Sequence, residues 1–196
     1  MNTYRFAFLF TVLLAILSQV QGQVITADPE FPTADSAVTI TFDATEGSQG
    51  LMDYDGDIYA HTGVTTQDGQ WQHVIAGWEE NIDKAKVERI SDNTYEFSIA
   101  PSIREFYGAP DNDKISEICL VFRNEDGSQQ TNDIFADVYE SGLNVSINQP
   151  NQKRFVAKKG TGFSFEAAAS DADSIELYAD DSLLHTASGS SLTQTL

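Results

Sequence analysis

The sequence predicts an all-β protein made of β-sandwiches, and three observations carry that expectation. From Gln23 onward, short runs alternate apolar and β-branched residues with polar ones, the period of a half-buried strand. Clusters of Gly, Asp, Asn and Pro recur between those runs at turn-like intervals. No segment sustains a helical apolar stripe beyond a turn or two. A hydrophobic content of 41% with 11% aromatics is enough to build a core, which sets the chain apart from disordered polypeptides.

Taken in order, Val24–Thr26 reads as a short opening strand stopped by Asp28-Pro29. Ala37–Asp43 (AVTITFD) alternates cleanly and is β-branched, so it is expected to be half-buried. After the acidic loop Glu46–Gly56 come strands over Asp57–Val64 and Trp71–Ile75, separated by a turn at Asp68-Gly69. Lys86–Ile90 and Thr94–Ile99 form a hairpin, with Val87 and Ile90 expected beside Tyr95, Phe97 and Ile99. Ser102–Tyr107, between Pro101 and Gly108, is the one helical turn. Lys114–Arg123 is the most hydrophobic strand, and Asp133–Tyr139 returns from the turn at Glu125-Asp126-Gly127. Cys119, the sole cysteine, sits inside that apolar run and is expected to be a buried hydrophobe without a disulfide partner.

The first 22 residues are set aside as a signal peptide. A lone positive charge at Arg5 precedes the apolar run Phe6–Leu17, which is too short for a spanning helix. Val20 and Gly22 supply small residues for cleavage before Gln23, and no cysteine follows for lipid attachment. The mature protein is therefore expected to be secreted, periplasmic or at the cell surface. Removal of the leader takes away Arg5 and no acid, leaving ten basic against 30 acidic residues. Such a charge disfavours nucleic acid and anionic membranes as partners but does not repel neutral sugars.

A domain boundary is expected at Glu140-Ser141-Gly142, giving a first β-sandwich over 23–141 and a second unit over 142–196. The second contains strand patterns at Leu143–Ile147, Phe163–Ala168, Ser174–Ala179, Ser182–Thr186 and Leu192–Leu196. An immunoglobulin-like sandwich needs about 100 residues and seven strands. Residues 142–196 are thus read as a partial second sandwich that would fold poorly alone.

Catalytic constellations are not evident. Glycoside hydrolysis needs two carboxylates about 5 to 9 Å apart in a cleft, one in apolar surroundings, and the acids here lie in turns and on polar faces. There is no G-x-S-x-G elbow and no motif joining Ser or Cys to His and Asp. Asp53-Tyr54-Asp55-Gly56-Asp57 fails as an EF-hand loop, because Ile58 and Val64 stand where Gly and Glu are needed. A looser all-oxygen calcium site at Asp53–Asp57 stays open beside the simpler reading of a solvated loop. His61 and His73 lack a third partner for zinc.

The informative group is Tyr59, His61, Trp71 and Trp78. Alternation places Tyr59 and His61 on one face of their strand, while Trp71 opens the next strand on the face of His73. Trp78 is followed by the polar run Glu79-Glu80-Asn81. Flat rings fringed by amide and carboxylate groups suit sugars, whose ring faces are apolar and whose hydroxyls need partners. The competing reading buries Trp71 between the sheets.

Asp57–Val64 (DIYAHTGV) with Trp71 and Trp78, Ile103–Tyr107, Leu120–Gly127 and Asp133–Tyr139 resemble the N-terminal region of Bacteroidetes exported proteins of the α-amylase family, glycoside hydrolase family 13. The resemblance implies a starch-binding-module-like β-sandwich followed by an immunoglobulin-like domain, with a catalytic barrel downstream. It implies a non-catalytic module gripping starch-like α-glucan, with Tyr59, His61, Trp71 and Trp78 as the platform. The alternative is a structural spacer or adhesin-like sandwich that binds no glycan.

Overall fold

The structure, a computed structural model, describes residues 23–150, 156, 158 and 160–196. Residues 1–22, where a leader is expected from the sequence, lie outside the described residues. The fold is all-β. The first unit contains β1 (Ile25–Asp28), β2 (Val38–Asp43), β3 (Ile58–Thr66), β4 (Gly69–Gln72), β5 (Lys86–Ser91) and β6 (Thr94–Ile99). A single helical turn, α1 (Ile103–Tyr107), precedes β7 (Glu117–Asn124) and β8 (Ile134–Asp137).

These strands pair antiparallel in the order β1-β2-β6-β5-β3-β7-β8, with β4 beside β3. The path folds into two layers because β5 changes partner along its length. Lys86 and Val87 face β3, whereas Glu88 to Ser91 face β6. A strand that switches sheets makes the corner of a sandwich. Six antiparallel steps leave β1 and β8 parallel, and a parallel bridge joins Thr33 to Tyr139 just beyond them.

Alternation drives the core. Val38, Ile40 and Phe42 of β2 and Tyr95, Phe97 and Ile99 of β6 point inward from one layer. Ile58, Ala60 and Val64 of β3 and Ile118, Leu120 and Phe122 of β7 point inward from the other. Phe42 and Phe122 stack across the layers with centroids 4.5 Å apart. Helix α1 closes one end: Ser102 caps it by accepting from the Glu105 amide, Gly108 ends it in the left-handed region, and Phe106 meets Phe97 edge-on. Ile90 departs from expectation. The register shifts between Arg89 and Ser91, and this bulge leaves its side chain 48% exposed.

β8 ends at Asp137, and the strands that follow belong to other sheets. β9 (Val145–Gln149), β10 (Ser164–Ala169) and β13 (Ser191–Thr195) form one, and β11 (Ser174–Ala179) and β12 (Ser182–Ser188) form a hairpin. Leu143, Val145, Ile147, Tyr178, Leu183 and Leu184 of this unit are exposed. The Glu30 carboxylate accepts hydrogen bonds from Ser146 and Asn148, tying β9 to the first unit.

Candidate functional site

The outer face of the β3–β7–β8 layer is where chemistry-bearing side chains gather. Register sets the rows: Tyr59 lies opposite Arg123, His61 opposite Val121, Gly63 opposite Cys119, and Cys119 in turn opposite Phe135. None of these belongs to the inner core cluster. Yet every residue from Ile118 to Asn124 is buried, because β4 and the segment that follows it fold over this face.

Gly63 permits that crossing. A Cβ at this position would meet the Gln72 carbonyl oxygen at 2.7 Å and Val74 at 3.0 Å. The crossing chain does not stay extended. Trp71 and His73 both take left-handed backbone conformations, with φ of 59° and 53°, so the expected strand Trp71–Ile75 breaks after Gln72. Aromatic residues occupy this region at a cost, and such strain concentrates at functional positions. Its result here is that Trp71 and His73 part company rather than share a face. Trp71 turns onto His61. His73 Nε2 meets Asp113 Oδ2 at 2.7 Å, and His73 and Gln67 together hold the Asp113 carboxyl below its ordinary value.

The rings then form a continuous ladder. Trp78 meets His61 edge-on at 5.0 Å between centroids, His61 lies near-parallel to Trp71 at 5.5 Å, and Trp71 meets Phe135 edge-on at 6.4 Å. Trp78 and Phe135 are 37% and 38% exposed, and His61 and Trp71 are half-buried. Trp71 is therefore not a core residue between the sheets. Tyr59 corrects the sequence expectation of a contact residue: its ring is on the right face but only 8% exposed, lying beneath Arg123. It underpins the ladder and presents no open ring face.

Arg123 and Phe135 are the residues that sequence reasoning missed. Arg123 is 1% exposed, between the Tyr59 and Trp78 rings at 5.7 and 5.8 Å. Its guanidinium donates to Asn81 Oδ1 and to the carbonyls of Glu80, Asn124 and Glu125. This fork fastens the Trp78–Asn81 segment to the turn after β7. Gly127 completes the seat, since a Cβ there would meet Trp78 Nε1 at 2.6 Å. The signal for Arg123 was a cation closing the apolar run Ile118–Phe122; for Phe135 it was the alternation of Asp133, Phe135 and Asp137.

His61 Nδ1 is buried without a hydrogen-bond partner. Burial chiefly, and the Arg123 charge next, hold the imidazole below its ordinary pKa, while Asp133 opposes them. A folded value below the unfolded one means that the unfolded chain binds the proton more readily. The contribution is thus complete above roughly pH 6.5 and is lost as pH falls through the folded value. Thermal midpoints between pH 7.5 and 5.5 are expected to fall more steeply for the native chain than for His61→Phe. Equal slopes would refute this assignment.

Other sequence candidates are engaged locally. Asp57 pairs with Lys86 at 2.6 Å and Asp53 Oδ1 accepts from Asn93. Among the described residues no group of three or more His, Cys, Asp and Glu side chains gathers as a metal cage requires. What the face offers chemically is stacking surface with a polar rim and a fixed cation beneath it. No curated protein matches the chain. Residues 25–131, which span β1 to β7 and the whole crossing segment, match the family model Domain of unknown function (DUF8578), and the chain belongs to that family.

Proposed function

We propose that residues 23–141 form a non-catalytic module that binds starch-like α-glucan for an exported enzyme of the α-amylase type. The observation that carries this reading is the ladder Trp78–His61–Trp71–Phe135 on an outer sheet face, braced from below by Arg123. A folded domain gains nothing in core stability by leaving two large rings more than a third exposed, whereas a sugar ring gains a stacking partner. The carboxylates of Glu79 and Glu80 beside Trp78 supply partners for hydroxyls. Export rests on the leader-like residues 1–22, and the downstream catalytic domain on the family resemblance.

Affinity electrophoresis through amylose, followed by calorimetry with maltoheptaose, tests the reading. Retention of the native chain is expected, with affinity reduced about tenfold or more in Trp78→Ala, the effect of losing one central ring. Passage of the native chain unretarded would sink it. A structural spacer is the second reading, favoured by the packing of the four rings on one another. It predicts tryptophan emission that does not respond to maltoheptaose.

A further inference from the structure

Phe135 belongs to two features at once. It ends the ring ladder, and it lines a cleft of about 550 Å³ between β1 and β8 of the first unit and β9 and β10 of the second. Ala136 and Asp137 continue the wall along β8, and Ile25, Thr26 and Ala27 of β1 form the opposite side. Ser146, Asn148 and Gln149 project from β9. Among the described residues, every charged side chain lining it is acidic: Glu30, Asp137 and Glu166. Just before β8, Asp133 stands close enough to His61 to act on its titration, so carboxylates flank the ladder as well.

We propose that this cleft is a second subsite of the glycan face, taking uncharged sugar units beyond the ring of Phe135. The inference rests on the glycan-binding reading above and adds a path and a selectivity. Hydroxyl and amide side chains on one wall are the groups that recognise sugar hydroxyls, and the ring of Phe135 offers a stacking face to the C–H surface. Desolvating an anionic sugar against three carboxylates, with no cationic side chain among the described residues of the wall, is unfavourable. Uronates and sulfated sugars are thereby rejected, and the neutral hexose polymer remains. Glu30 has a positioning role, because its bonds to Ser146 and Asn148 hold β9 against the cleft.

The test measures binding of the full chain to maltotriose, maltoheptaose and carboxymethyl-amylose, with unmodified amylose as the reference for the last and with tryptophan emission and thermal midpoint as folding controls. Maltoheptaose is expected to bind at least fivefold tighter than maltotriose, since only the longer chain covers both ladder and cleft. Asn148→Ala and Phe135→Ala are each expected to remove roughly three- to tenfold of the maltoheptaose affinity, the effect of one lost hydrogen-bonding or stacking partner. In Asn148→Ala the maltotriose affinity should stay unchanged. Carboxymethyl-amylose should bind at least tenfold more weakly than amylose at low salt, with the gap narrowing as salt is added. Equal affinities for the two oligosaccharides, or an Asn148→Ala chain indistinguishable from native, would overturn the cleft while leaving a Trp78-dependent ladder intact. Failure of the native chain to bind any of the three would overturn the ladder reading and the cleft together.

Discussion

Replacing Arg123 by Met is expected to destabilise the first unit by about 3 kcal/mol and to free Trp78 from its seat. Four acceptors converge on this guanidinium, and none is a carboxylate: Asn81 Oδ1 and the carbonyls of Glu80, Asn124 and Glu125. Met preserves the apolar stem that packs against Tyr59 but can donate to none of them. The partly exposed carbonyls can recover water, which keeps the loss from reaching the full sum of four charge-assisted bonds. Urea denaturation measures the stability change, and a red shift of native-state tryptophan emission reports the release of the indole. A variant with unchanged midpoint and emission would show that the fork neither stabilises the fold nor holds the ring. Arg123→Lys should recover little, because a point ammonium cannot span the diverging acceptors.

Phe122→Ala is the more severe change, expected to cost about 3–5 kcal/mol. The ring is fully buried, stacks on Phe42 at 4.5 Å and 18°, and thereby joins the two layers at their centre. Its removal opens a cavity between strands from different sheets, which cannot close without moving a whole layer. Against the total of about 5–15 kcal/mol typical of a domain, this is a large fraction. Phe122→Leu keeps most of the volume and should cost less than half as much. A denaturation midpoint for Phe122→Ala within error of the native value would contradict the packing described.

The fold was legible wherever local pattern and tertiary role agree. β2 and β6 alternate because each has one face on the core, and β11 coincides with its expected bounds at Ser174 and Ala179. The helical turn announced itself through Pro101 before it and Gly108 after it, and the structure adds Ser102 as its local N-cap. Legibility failed where the backbone leaves its period. Nothing in WQHVI signals two left-handed residues, which depend on the crossing over Gly63. Tyr59 was assigned the correct face but the wrong exposure, since alternation says which side a ring is on and not what later folds over it. Trp78 was legible as a surface ring from its polar neighbours, whereas the clamp beneath it joins residues over 40 positions apart.

The parallel bridge between Thr33 and Tyr139 has a mechanical consequence. Tension along the polypeptide would pull the β1 end one way and the β8 end the other, and parallel segments drawn apart in this sense are loaded in shear. The Tyr139 amide bond to the Pro32 carbonyl, at 2.8 Å, bears that load alongside the bonds from Ile103 and Arg104 to Ser36 and Ala34. Bonds sheared together must yield together, whereas bonds unzipped from one end yield in turn. The first unit is thus built to transmit pull between its two ends without lengthening.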